Sequence, residues 1–396
     1  MVLSHSTIGE LLMSGRKSSY SLAQLVFYAL ELGTIGFGGP VALVGYMYQD
    51  LVEKRKWITE ADYKEGLTLA QLAPGPLAAQ LAIYLGYIDY RILGATLVGI
   101  AFVLPSFLMV LALGWAYKMY GGLPWMQAVF YGVGASVIGI IAFSAYKLTV
   151  KTIGKNKLLW AIYIVLAAFT AITESENIYL ILASGFLVWF VENPPFKVKM
   201  NPSQMAGLFV LPVAAGVAIA SSPNVLWSIF TFFAKAGTFV FGSGLAIVPF
   251  LYGGVVKQYH WLNDRQFLDA VAVAMITPGH VVITVGFIGY LVAGLAGACV
   301  AAFGTFLPCY LFTVIPAPYF KKYGKKPGLL SFVNGITSAA IGAITGAVVV
   351  LARKSIVDIP TAFLAVATAG ILWRTKKVPE PVIILVAAVI GLILRH

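Results

Sequence analysis

The sequence predicts an all-α protein that crosses a membrane many times, built from two inverted repeats with broken, re-entrant helices at its centre. Three observations carry this prediction. Apolar runs of about 17 to 25 residues, the length that spans a bilayer core, recur from Leu22 to Leu394. The second half of the chain lies on the first in a single register, and the basic loops change places between the halves. Composition agrees: 60% of residues are hydrophobic and 11% charged, whereas soluble domains carry about 25% charged residues. No remaining stretch is long enough for a soluble domain, so the function sits in or beside the bilayer.

The elements follow in order. Residues 1–20 form a polar lead-in with Arg16 and Lys17, lacking the apolar middle and cleavage site of a signal peptide. Residues 21–192 form the first repeat. It opens with two broken apolar segments, Ser21 to Leu51 and Glu60 to Ile88, interrupted at "FGGP" and "PGP". Proline removes a donor and clashes with the preceding turn, so each helix must stop there. Four unbroken spans follow at about Ile92–Ala116, Trp125–Val150, Leu158–Ile172 and Ile178–Val191. Residues 193–224 form a linker with one extra span, Met205 to Ala220, and residues 225–396 form the second repeat.

The register is an offset of 204 residues, seen as Trp57 on Trp261, which falls to 203 after one deletion, seen as Gly86 on Gly289. "GTIGFGGP" (Gly33 to Pro40) falls on "GTFVFGSG" (Gly237 to Gly244), and "APGP" (Ala73 to Pro76) on "TPGH" (Thr277 to His280). Glu65 meets Asp269, and Leu104-Pro105 meets Leu307-Pro308. Each half contributes an even number of clean crossings, so the single linker span inverts the second half. The loops test this independently. In half one Lys147, Lys151, Lys155 and Lys157 follow the second span, while in half two Lys321, Lys322, Lys325 and Lys326 follow the first. Under the positive-inside rule that exchange marks an inverted repeat, with the N-terminus cytosolic and the C-terminus outside. Arg353 and Lys354 fall on the wrong side of this assignment.

The net charge of +12 is spread over short loops, which fits membrane topology and excludes a nucleic-acid surface. No His, Cys and carboxylate cluster has metal-ligand spacing, so neither a metal nor a cofactor is expected, nor an intramembrane enzyme. Cys299 and Cys309 lie too far apart along a helix to bridge and read as small core residues.

Non-helical backbone at membrane depth needs protein or a watery cavity around it. The breaks then present free N–H groups at positive helix starts, a ready anion site. Phe37, Gly38, Gly39, Gln71, Pro74 and Gly75 in half one, and Phe241, Gly242, Ser243, Gly244, Pro278, Gly279 and His280 in half two, are the candidate substrate-binding residues. An intramembrane charge costs about 2.5 kcal/mol or more and faces a cavity or partner. Lys235 either attracts the anion or forms a static pair with Glu31, its counterpart. Glu31, Glu65 and Asp269 are candidates for coupling or gating. His280 either donates an N–H at a helix start or only packs.

These ordered motifs, "FGGP" with "QLAPGP" and "FGSG" with "TPGH", resemble the chromate ion transporter (CHR) family, whose long members have two homologous halves in opposite orientation. The resemblance covers nearly the whole chain. It implies a multi-pass protein of the cytoplasmic membrane that expels chromate, driven by an ion gradient such as that of protons, with the analogue sulfate as a competitor. Ser243 and His280 depart from the glycine and proline of the first half, which leaves open whether both halves contact substrate equally. A passive anion channel, or a carrier of another tetrahedral oxyanion, remains the alternative.

Overall fold

The computed structural model describes residues 19–36, 39–120, 124–174, 177–193, 224–238, 247–279, 281–323, 326–375, 378 and 380–395. The expected extra span, Met205 to Ala220, lies outside the described residues. The helices of the first half are α1 (Leu22–Ile35), α2 (Gly39–Met47), α3 (Glu60–Leu72), α4 (Leu77–Tyr120), α5 (Pro124–Ile153), α6 (Lys157–Thr173) and α7 (Ile178–Glu192). Those of the second are α8 (Val225–Thr238), α9 (Ile247–Tyr252), α10 (Asp264–Ile276), α11 (Thr284–Val314), α12 (Ala317–Tyr323), α13 (Pro327–Ser355), α14 (Ile359–Arg374) and α15 (Glu380–Arg395). Among the described residues there is no strand, and four helices are long and apolar enough to cross a membrane. Their outward faces stay apolar, with Leu108, Trp115, Leu295 and Phe303 well exposed, as lipid contact requires.

The broken segments are hairpins. Arms of 14 and 13 residues, α1 and α3, are about 20 Å long and fall short of a bilayer core of roughly 30 Å. Each folds back on a partner arm. Tyr28 of α1 donates to Asp50 beyond α2 (3.4 Å), and the Gly36 end of α1 lies against Leu43. Tyr84 near the start of α4 donates to Glu65 of α3 (2.8 Å) and covers Gly66, so these two arms turn back at Pro74-Gly75-Pro76. In the second half Phe232 of α8 stacks on Phe250 of α9, with ring centroids 5.3 Å apart.

Helix α4 is itself reversed at Arg91, whose φ of 50° and ψ of −139° are non-helical. The chain returns so tightly that a methyl on Gly86 would sit 2.5 Å from Gly94 O. Glycine is required there because backbone meets backbone. The second half repeats the turn 203 positions later: Gly294 has φ 61° and ψ −150°, and a methyl on Gly289 would sit 2.4 Å from Gly297 O. Glycine relieves the left-handed strain at 294, whereas Arg91 bears it in the first half.

Beyond the reversal, α4 and α11 pack against each other, and α1 and α8 pack on the crossing helix of their own half. The later helices exchange partners. Helix α5 packs on α14 and α15 of the other half, and α13 packs on α6 and α7. The contacts correspond one to one: Gly132 abuts Ala387 O and Gly335 abuts Ser184 O. Small residues let these backbones approach without a hydrophobic drive between helices. Two large apolar cores result, one around each pair of hairpins.

Candidate functional site

Both described hairpin tips end at the middle of a crossing helix, and each meets the helix of the other half. Gly75 has φ 144°, and a side chain on it would strike Gln80 and lie 3.1 Å from Cys309 Sγ of α11. Gly279 has φ 99°, and a side chain on it would lie 2.1 Å from Ser106 Oγ of α4. Only glycine holds such backbone without strain. Ser106 and Cys309 are equivalent positions, each following the proline of a Leu-Pro pair at mid-helix. Ser106, wholly buried, donates to Gly33 O (3.2 Å), and the Gly279 N–H donates to Gly36 O (2.8 Å). That last bond joins the second-half tip to the first-half hairpin.

At the Pro74-Gly75-Pro76 tip, Gln80 is the first residue of α4 whose N–H reaches a carbonyl, Pro76 O at 3.0 Å. The N–H groups of Leu77, Ala78 and Ala79 precede the helical ladder and point out of the helix start. All three residues are buried. The Gln80 side chain donates through Nε2 to Pro74 O (2.8 Å). A helix start of this kind attracts negative charge through its dipole and free donors.

The candidate carboxylates are placed differently in the two halves. Glu65 accepts from Tyr84 of its own half, whereas Asp269, 5% exposed, accepts from Tyr117 of the other half (2.7 Å). Position 203 beyond Tyr84 is Phe287, and 203 beyond Tyr117 is Phe320. Both hydroxyls therefore come from the first half, and the second half carries phenylalanine at both equivalent positions.

Not every sequence expectation meets its partner. Glu31 and Lys235 are both exposed, and among the described residues no ion pair joins them. Each arm is fixed instead to its own crossing helix, by Gly33 against Phe102 O and by Gly237 against Thr305 O. Gln71 is exposed on α3 rather than turned into the tip. Cys299 is exposed, not a core residue, while Cys309 is buried at a tip. Gly39 begins α2; Phe37, Gly38, Phe241, Gly242, Ser243, Gly244 and His280 lie outside the described residues. No group of three or more metal-ligating side chains occurs among the described residues.

A model of the family described as chromate transporter matches the chain twice, over residues 23–189 and 227–392. The chain belongs to the chromate transporter family. This transporter is 70% identical over 375 residues to the chromate transport protein of Cupriavidus metallidurans, covering 95% of this chain and 94% of that one. It is 64% identical over 378 residues to the probable chromate transport protein of Synechococcus elongatus, covering 95% and 96% of the two chains. At 29% identity it also matches the chromate transport protein of Pseudomonas aeruginosa, over 93% and 91%. No solved structure matches. Family membership makes the protein a membrane transporter and not an enzyme.

Proposed function

We propose that the protein exports chromate across the cytoplasmic membrane as a secondary transporter, by alternating access at a midplane site between the hairpin tips. The observation that carries this reading is the meeting of Gly75 and Gly279 with the mid-helix positions Cys309 and Ser106 of opposite halves. Transporters that break helices at mid-depth use the freed backbone to hold the substrate and rock one repeat against the other. The relatives named as chromate transport proteins supply the substrate. Sulfate, of like shape and charge, is its competitor.

In this reading residues 21–192 and 225–396 are inverted repeats around the linker 193–224, the lead-in 1–20 is cytosolic and the C-terminus lies outside. The tip residues, with Phe37, Gly38, Gly39 and Phe241 to Gly244, present donors to the oxyanion, and His280 and Lys235 add positive potential. Protons are the coupling ion, carried by Glu65 and Asp269, with Glu31 as a gating charge.

Proteoliposomes loaded with buffer and given chromate, with and without an imposed pH gradient, test the reading. Uptake that responds to the pH gradient in the absence of a chromate gradient is expected. Flux that follows the anion's own gradient alone would establish a passive channel instead. Labelling of single cysteines at Lys155 and Lys354 tests the topology; the proposed inversion requires opposite sides, and labelling of both from one side would refute it.

A further inference from the structure

The tip at Gly75 holds one feature that anion binding by helix donors does not use. Gln80 is fully buried and its Oε1 has no hydrogen-bond partner, although its Nε2 is bonded to Pro74 O. A buried acceptor left unpaired costs about 1–3 kcal/mol, so it marks a place where a donor is to arrive. A fully ionised oxyanion has no donor to offer. A singly protonated one has one O–H and three further oxygens, and this tip offers the complement: one acceptor, and three free N–H groups on Leu77, Ala78 and Ala79.

Resting on the anion-site reading above, we propose that Gln80 selects the singly protonated oxyanion, its Oε1 accepting the ligand's O–H while the start of α4 binds the remaining oxygens. The charge balance of the tip agrees. The side chains nearest a Cβ at Gly75 are Gln80 and Cys309, both neutral. Desolvation cost rises with the square of charge, so a monoanion suits a tip that supplies only dipoles. The oxyanion reaches Oε1 when the tip parts from Cys309, a movement of the kind alternating access requires. The second-half tip has no equivalent, since positions 283 and 284 are Ile and Thr.

Gln80 thereby becomes a specificity residue. Hydrogen chromate loses its proton close to neutral pH, whereas hydrogen sulfate and hydrogen selenate persist only in strong acid. Of anions with one shape, the tip then favours the one that still carries a proton in the physiological range. The titratable groups on the elements packed about this tip are Glu60, Asp62, Tyr63, Lys64 and Glu65 of α3, Tyr84, Tyr87, Asp89 and Tyr90 on the arm of α4 before its reversal, and Tyr290, Cys299, Cys309 and Tyr310 of α11; of these Cys309 lies nearest Gly75.

Equilibrium binding of radiolabelled chromate to the purified full chain, with selenate as size-matched competitor, tests this between pH 6 and 8.5. The expected wild-type preference for chromate at pH 6 is about tenfold or more, the worth of one unsatisfied buried group. It should fall with rising pH as hydrogen chromate ionises. Gln80→Met, which has no amide acceptor, should bring the ratio near one at every pH. Gln80→Glu keeps an acceptor and adds charge that repels a dianion more than a monoanion, so it should widen the ratio. A merely structural role would weaken both anions alike in both variants. Equal wild-type binding of chromate and selenate, or an unchanged ratio in Gln80→Met, would overturn the proposal while sparing the site. Failure of the wild-type protein to bind either anion would overturn the site as well.

Discussion

At the scale of single residues, the tips are set by backbone that only glycine adopts. Gly75 and Gly279 combine positive φ with contact to a side chain of the opposite half. Alanine at either adds strain of about 1–3 kcal/mol and drives a methyl into Gln80 at the Gly75 tip or Ser106 at the Gly279 tip, which distorts the tip backbone. Gly75→Ala and Gly279→Ala are therefore expected to lose at least about tenfold in chromate binding with little change in helix content. Binding near the wild-type level in both, with the melting temperature preserved, would remove the tips from the site. Ser106 is a softer case. Ser106→Ala strands Gly33 O, a loss of about 1 kcal/mol, and the thermal stability of the purified variant measures it.

At the scale of elements, the breaks were legible in the sequence because proline and glycine at "FGGP", "PGP" and "TPGH" forbid a continuous helix for local reasons. The reversal at Arg91 was not. Gly86 and Gly94 look like ordinary small membrane residues, and nothing local marks an arginine for positive φ; only its counterpart Gly294 carries the sign. Cys309 is a buried core residue, as its apolar run implies, but nothing in its own pattern marks the contact with Gly75, although its equivalence to Ser106 is present in the register. The partner exchange was illegible for a different reason: an internal repeat gives equivalence between positions, not contact. Gly132 against Ala387 and Gly335 against Ser184 show it only once the helices are placed. Because these two seams are equivalent, Gly132→Leu and Gly335→Leu should destabilise the fold by similar amounts, about 1–3 kcal/mol each for overpacking. Melting of each variant in detergent checks this. A large effect at one seam and none at the other would show that the two do not share the load.

At the scale of the molecule, equivalent positions are not in equivalent surroundings. Asp269 is buried while Glu65 is partly exposed, and Met275 is buried while its counterpart Gln71 is exposed. Helix α10 packs on α5 and α15; among the described residues α3 makes no comparable contact with α13 or α7. Ion pairs fasten the second-half mouth. Lys257 meets Glu174 of the other half (2.5 Å), Lys354 meets Asp264 (3.2 Å), and Tyr252 donates to Asp264 (2.6 Å). At the first-half mouth Glu60, the counterpart of Asp264, pairs with Lys64 of its own helix, and Glu53, the counterpart of Lys257, is exposed. Among the described residues, the Lys257–Glu174 pair therefore ties the two halves together at the second-half end, while the first-half pairs, Lys54–Asp50 and Lys64–Glu60, stay within one half. In the alternating-access reading proposed above, transport passes through a form in which this fastening has parted. The Lys257–Glu174 pair is partly exposed, so its contribution is small, about 0.2–1 kcal/mol, and a few-fold change in population is the scale to expect. Reversing one charge replaces attraction by repulsion. Glu174→Lys or Lys257→Glu should raise the labelling rate of a Met275→Cys reporter by about two- to fivefold, in a background with Cys299 replaced by alanine. The double exchange, Lys257→Glu with Glu174→Lys, restores the pair with its signs swapped and should return labelling to the starting rate. If both single reversals leave the reporter unchanged, the pair is ornament on a mouth sealed by its apolar core; if the double exchange fails to rescue, the two charges do not act on each other.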